Sequence, residues 1–271
     1  MKRKNTGLAM LVLAAVFMTA ACSPTGVNSK TGNSGSTAAE GASSGGTHYD
    51  LTLGTAASTG TYYVVGAAIA NEVNTKNPNL TVVAQTTNGG VENVNLCMSG
   101  EMDLGMTNAD AAYWSSHGGG SGFYEIYAEP GNVKGVMRLY ESQGHMITTA
   151  NSGIETYEDL RGKTVCLGPP SSTIPAMSIA ILEAYGINTD SDIKAVYYSI
   201  DEGLEKLTDG VIDATFFVAS APASGLTSAS ATSALKFVDA GEEILKQVVE
   251  KYPYYTAATT KEGAYPNMNS V

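Results

Sequence analysis

Histidine and cysteine are scarce in this chain, three of each among 271 residues. His48, His117 and His145 stand far apart, and none has the spacing to a second ligand that a zinc site needs. Surface or structural roles are expected for all three. An exported protein could pair Cys97 with Cys166. One falls in a helical pattern and the other in an apolar strand pattern of the other half, so two buried, inert thiols are expected instead. No nucleophile with a base, metal cluster or matched acid–base pair is visible. Neither a phosphate-cradling Gly-x-x-x-x-Gly-Lys loop nor a dinucleotide fingerprint occurs. Asp103 and Asp110 come nearest to paired carboxylates, but Asp103 reads as a turn residue. Basic side chains are also few: 15 Lys and Arg against 26 Asp and Glu, a net charge of −11. That balance excludes a nucleic-acid surface, which needs a basic footprint, and adhesion to anionic lipid through a protein face. It leaves room for an anionic small ligand, because a cleft can differ from the net field. These absences argue against an enzyme and for a binding protein with no cofactor and no metal.

What is present begins with a leader. Lys2-Arg3-Lys4 precede an apolar stretch, Leu8–Met18, and small residues, Thr19-Ala20-Ala21, run into Cys22. This is the pattern of a bacterial export signal, and the apolar run is short for a membrane span. The Cys after Ala-Ala resembles a lipoprotein box, so Cys22 is the expected lipidation site. Thr19 stands where the box usually has Leu, and free secretion stays open. Residues 23–47 are Ser, Gly, Thr, Ala and Asn with almost no apolar bulk, a tether too polar to offset its ordering entropy.

The stretch Leu51–Asp110 organises the rest. Apolar runs at Leu51–Leu53, Leu80–Ala84 and Leu104–Met106 each end in a polar loop, and each loop opens a helical pattern. Three strand–loop–helix units in succession predict a parallel α/β sheet, with ligands at the carboxyl ends of its strands. The loops offer hydroxyls, amides and glycines: Thr55, Ser58, Gly60 and Thr61; Asn88 and Gly89; Asn108. The free N–H groups of the following helix starts favour an anion there. Ordinary turns and N-caps explain any one of these loops; three in a row point to a cleft. Tyr62 is placed at that cleft and Tyr63 in the core. Asp110 reads either as a first-turn helix residue or as a partner for a ligand ammonium.

Lys134–Tyr140 and Met146–Ala150 read as strands, with the crossing between lobes between them. The pattern then recurs: strand Thr164–Gly168, polar loop with Ser171, Ser172 and Thr173, helix Ala176–Tyr185, strand Ala195–Tyr198, helix Asp201–Asp209, strand Ile212–Val218, helix Gly241–Lys251. Two α/β lobes with facing loops make a cleft that can close on a small ligand. The expected division is 48–142 for the first lobe, 143–240 for the second, and 241–271 as a segment returning towards the first.

The chain resembles the TAXI-type solute-binding proteins of TRAP transporters. The resemblance rests on Gly54-Thr55 with Gly60-Thr61-Tyr62-Tyr63, on Thr87-Asn88-Gly89-Gly90-Val91-Glu92-Asn93, and on Ser99-Gly100-Glu101-Met102-Asp103-Leu104 leading to Asp110. It continues through Asp159-Leu160-Arg161-Gly162-Lys163, Gly168–Thr173, Glu183-Ala184-Tyr185-Gly186, Asp209–Pro222 and Lys251-Tyr252-Pro253-Tyr254-Tyr255, covering about Tyr49 to Pro266. It implies a two-lobe periplasmic binding protein fold of type II, with each sheet mainly parallel. It implies an extracytoplasmic lipoprotein on the outer face of the cytoplasmic membrane, delivering glutamate, glutamine or a 2-oxoglutarate-like solute to a TRAP permease driven by an ion gradient. A lipoprotein that presents its bound solute to a receptor kinase is the alternative. Two departures stand out. The Ser-Gly-Thr loop of the family is Ser171-Ser172-Thr173 here, and Ile174-Pro175 replace a basic residue that often follows. Relatives also continue past the position of Val271 with helices that complete the first lobe, so a truncated return segment is expected.

Overall fold

A computed structural model describes residues 47–120, 125–126 and 128–269. The leader, Cys22 and nearly all of the tether lie outside the described residues. Among the described residues, no helix is long and apolar enough to cross a membrane.

The first sheet has three parallel strands in the order β2-β1-β3: β1 (Tyr49–Gly54), β2 (Leu80–Gln85) and β3 (Leu104–Gly105). Helix α1 (Thr61–Lys76) joins β1 to β2, α2 (Gly90–Ser99) joins β2 to β3, and α3 (Ala109–His117) follows. Strand alternation sends Leu51, Leu53, Val82 and Ala84 to one face, where they pack with Val65, Ala70 and Val73 of α1. The opposite face carries Gly54 against α2. A Cβ there would lie 2.3 Å from Met102 Sδ and 2.4 Å from Asn93 Oδ1, so glycine lets α2 press onto the strand ends. Gly100, left-handed at φ 79°, ends α2.

After a small hairpin, β4 (Gly119–Gly120) with β5 (Glu125–Ile126), the chain enters a five-stranded sheet. Its strands are β6 (Gln143–Thr149), β7 (Thr164–Cys166), β8 (Lys194–Val196), β9 (Ala214–Ala219) and β10 (Leu235–Val238), in the order β10-β6-β9-β7-β8. The pairs β7–β8 and β7–β9 are parallel, and β6–β9 and β10–β6 are antiparallel. Helices α4 (Ile174–Ala184) and α7 (Glu242–Lys251) cover one face; α5 (Ile200–Thr208) and α6 (Ser224–Thr232) cover the other. Phe216 therefore points into one core and Phe217 into the other, which explains why the run Ala214–Ala219 is apolar but for Thr215. On α5, Ser199 caps the start, and Leu204 and Leu207 form the buried stripe.

Within this mixed sheet, β8-β7-β9 repeats the order of β2-β1-β3, with connecting helices in the same sequence. Both halves thus have their topological switch beside the first strand of the unit, and the loops there are the expected binding loops.

Several expectations are corrected. Lys134–Tyr140 is irregular, not a strand. Its alternation of apolar and polar residues suits a sheet, but no strand edge pairs with it, and Val136 and Met137 stay 74% and 66% exposed. Only Tyr140 turns inward, against the first core. Helix α6 and strand β10 went unread, because Ser-Gly-Leu-Thr-Ser-Ala-Ser-Ala-Thr has little helical propensity and a weak apolar stripe. His117 ends α3, stacked on Tyr113, the structural role expected of it. Cys166 is buried and Cys97 half-buried; both are free.

Candidate functional site

Polar side chains lock the three strand ends of the first lobe together. Thr55 is fully buried, and its backbone N–H and hydroxyl both donate to Gln85 O, at 2.9 and 2.6 Å. The amide of Asn93, on α2, donates to Thr55 O and to Met106 O, both at 2.7 Å, tying the end of β1 to the end of β3. The Thr87 hydroxyl lies 2.9 Å from Thr55 O and 2.8 Å from Asn93 Oδ1, and accepts the Gly89 N–H at 3.1 Å. The expected contacts Thr55 and Gly89 are therefore parts of one internal frame.

The two lobes meet along a polar seam with a reciprocal pattern. The β1 loop of the first lobe touches the starts of α5 and α6 in the second. The Thr59 hydroxyl donates to Asp201, Thr59 O accepts from Ser224 at 2.6 Å, and Thr61 donates to Ser220 O at 3.3 Å. In return, the β7 loop of the second lobe touches the starts of α2 and α3 in the first. Ser171 O accepts the Glu92 N–H at 3.0 Å, and Thr173 Oγ1 accepts from Asn108 Nδ2 at 2.9 Å. Asn108 Oδ1 also accepts from the Tyr62 hydroxyl. Gly89 lies against the β7 loop of the other lobe. Its φ of 119° disfavours a side chain, and a Cβ there would meet Ser172 Cβ at 3.4 Å.

The remaining expected residues have diverse places. Gly60 closes the β1 loop through its N–H to Ala57 O at 2.9 Å and opens α1. Ser58 is exposed on that loop. Asn88 is exposed and held back by Glu92, whose carboxylate accepts its N–H at 2.8 Å and its amide at 2.9 Å. Ser172 donates to Pro169 O at 2.8 Å and accepts the Ile174 N–H at 3.2 Å, securing the start of α4. The helix starts at Gly60, Gly89, Asn108 and Thr173 all lack a side-chain cap. Shallow grooves flank the seam: one of about 330 Å³ between Asn88, Glu92 and Ser171, another of about 400 Å³ between Thr59, Asp201 and Gly225.

Asp110 is the charged group that this arrangement drives inside, at 1% exposed. Its carboxylate accepts the Ala111 N–H at 2.8 Å and the Tyr255 hydroxyl at 3.0 Å. Burial pushes its pKa up to about 7, only partly opposed by those two bonds and one from its own backbone N–H. Burial, and then the nearby Asp110, hold the Tyr62 phenol well above its ordinary range.

Sequence reasoning missed Thr59, Glu92, Asp201 and Tyr255 as seam residues. Glu92 and Tyr255 stood in quoted motifs and could have been found. Asp201 looks like any first-turn acid, and only the fold brings it to Thr59.

Comparison with solved structures finds distant likenesses. The periplasmic aliphatic sulphonate binding protein SsuA of Escherichia coli is 17% identical, with a TM-score of 0.44 over 70% of this chain and 56% of that one. The alkanesulfonate-binding protein SsuA of Xanthomonas axonopodis pv. citri, bound to MOPS, is 15% identical, with a TM-score of 0.49 over 73% and 62%. A binding protein component of an ABC phosphonate transporter from Pseudomonas aeruginosa is 13% identical, with a TM-score of 0.48 over 76% and 74%. The chain thus spans less than two thirds of the length of the first two. The sequence itself matches one family from within β1 to its last residue, positions 53–271: the chain belongs to the NMT1-like family.

Proposed function

We propose that this protein is an extracytoplasmic solute-binding subunit of a TRAP-type transporter of the TAXI kind. It is held at the membrane through a lipidated Cys22 and passes a small polar solute to a membrane permease. The observation that carries this reading is the reciprocal seam: the switch-point loops of two like-ordered sheets face each other and bond across the gap. The bonds that close it are few and neutral or singly charged, the kind a small solute can replace with its own polar groups. The starts of α1 and α2, with no side-chain cap, offer N–H donors to a carboxylate from the first-lobe side. Glutamate, glutamine and 2-oxoglutarate are the solutes to test first. As a carrier, the protein performs no chemistry on what it holds.

A thermal-shift screen of the protein against those solutes, C4-dicarboxylates, sugars and neutral amino acids tests the reading. A ligand at a hundred times its Kd adds about 2.7 kcal/mol, or about 5–10 °C in Tm for a domain of this size. X-ray scattering should show the particle shrink on binding, as an open population closes. A ligand that binds without any change in particle size counts against capture by lobe closure.

A further inference from the structure

The seam carries acids and no base. The side chains that bond across it include Asp201 and Asp110, and Glu92 joins through its backbone; no Lys, Arg or His is among the described residues that hydrogen-bond there. Asp110 stands out because it is nearly inaccessible yet belongs to no ion pair among the described residues. A carboxylate has about four lone-pair sites, and the Ala111 N–H, the Tyr255 hydroxyl and the residue's own backbone N–H leave Asp110 room for a further donor. Nearby, the Tyr140 hydroxyl is buried without a partner, its ring 6.3 Å from that of Tyr62. The Asp110 charge also raises the Tyr62 and Tyr254 phenols, after burial, so both lie within its electrostatic reach, as does the bonded Tyr255.

A buried carboxylate without a countercharge is costly unless something pairs with it. A structural role would have supplied a Lys or Arg, or more N–H donors. Instead Asp110 sits where the lobes part: its partner Tyr255 packs against the second-lobe core, while Asp110 belongs to the first lobe. Opening the cleft exposes it, and a solute entering there meets it. Aromatic rings near a carboxylate suit a cationic amine, which donates hydrogen bonds to the carboxylate and gains cation–π attraction from the rings. A solute with oxygen anions at that end would face Asp110 with no base to separate the charges.

We infer that Asp110 is the specificity-determining residue of the cleft and selects solutes that carry a cationic amine over their deaminated counterparts. This rests on the solute-binding reading above. The test uses pairs that differ only in the amine, glutamate with 2-oxoglutarate and alanine with pyruvate, beside the wider panel, by calorimetry at pH 8. The amine-bearing member of a binding pair should bind about 10- to 100-fold more tightly, the worth of one charge-assisted bond. Asp110→Asn, which keeps an acceptor for the Ala111 N–H and can donate to the Tyr255 oxygen instead of accepting from it, should erase that preference. Should the variant not fold, the comparison within wild-type pairs decides alone. Equal or tighter binding of 2-oxoglutarate or pyruvate, or a preference that survives Asp110→Asn, overturns the role of Asp110 and leaves the solute-binding reading intact. Silence from every solute, in protein that still unfolds cooperatively, overturns the solute-binding reading and this inference together.

Discussion

Asp110→Asn should make the stability of the protein sensitive to acid. In the folded chain the Asp110 pKa is raised from 3.8 to about 7. Between those values the unfolded chain is ionised there while the folded chain keeps its proton. The folded state binds more protons, so stability falls as pH rises through this window, by up to about 4 kcal/mol for a shift of this size. His145 acts in the opposite sense. It is buried among Phe217, Phe237 and Tyr265, its Nε2 has no partner, and burial lowers its pKa from 6.5 to about 4. Below pH 6.5 the unfolded chain takes up a proton that the folded chain refuses, so stability falls as pH drops, by about 3 kcal/mol. Across pH 4 to 6.5 the two slopes oppose and nearly cancel. The exposed carboxylates held low, Asp103, Asp159 and Asp192, act below the ordinary carboxylate range and outside this window. Urea titrations from pH 4.5 to 8 should therefore be nearly flat for the wild type. Asp110→Asn should lose stability steadily on acidification, and His145→Phe should gain it. The double variant should be flat again. Coincident curves for Asp110→Asn and the wild type would show that the carboxyl titrates normally and is not sealed in the seam.

Much of this architecture could be read from the residues, and the reason lies in local signals. Each strand–loop–helix unit carries its own apolar run, polar loop and helical period, so α1, α2, α4 and α5 and the strands before them were placed within a few residues. Failures came where identity depends on neighbours distant in sequence. Lys134–Tyr140 alternates like a strand but finds no partner edge, and pairing is a property of two segments, not one. The sequence of β9 is apolar but for Thr215, which signals burial on both faces but says nothing of direction. Its antiparallel contact with β6 and parallel contact with β7 arise only from the fold. The same limit applies to the site. Polar loops at strand ends identified Asn108 and Thr173, yet their bond spans 65 residues. Thr59 and Asp201 look like an ordinary loop residue and an ordinary first-turn acid, and their meeting follows from the matched order of the two sheets.

Asn93 should prove the least replaceable polar residue of the first lobe. It is fully buried, and its amide supplies N–H donors to Thr55 O and Met106 O, which end the two strands flanking the switch point. Asn93→Leu matches its shape but leaves Met106 O short of a donor and Thr55 O with only the Thr87 hydroxyl to replace the amide, at about 1–3 kcal/mol for each group left unmet. A total loss of about 2–5 kcal/mol is expected, because the three contacts belong to one network and do not add. Asn93→Asp should be worse near neutral pH. An ionised carboxylate there donates nothing and points at two carbonyl oxygens that lay 2.7 Å from the original amide. Acid should rescue it in part, since a protonated carboxyl can give one of the two bonds back. Urea melts of the three proteins at pH 5 and pH 8 separate these cases: Asn93→Asp should gain stability relative to Asn93→Leu at the lower pH. Asn93→Asp as stable as the wild type at pH 8 would mean that the amide does not hold the strand ends. The consequence reaches the cleft, because Thr55 leads into the loop that bonds Asp201 and Ser224, and Met106 leads to Asn108. Loosening this one side chain frees both loops on the first-lobe side of the seam, so affinity for any captured solute should fall even at temperatures where the variant remains folded.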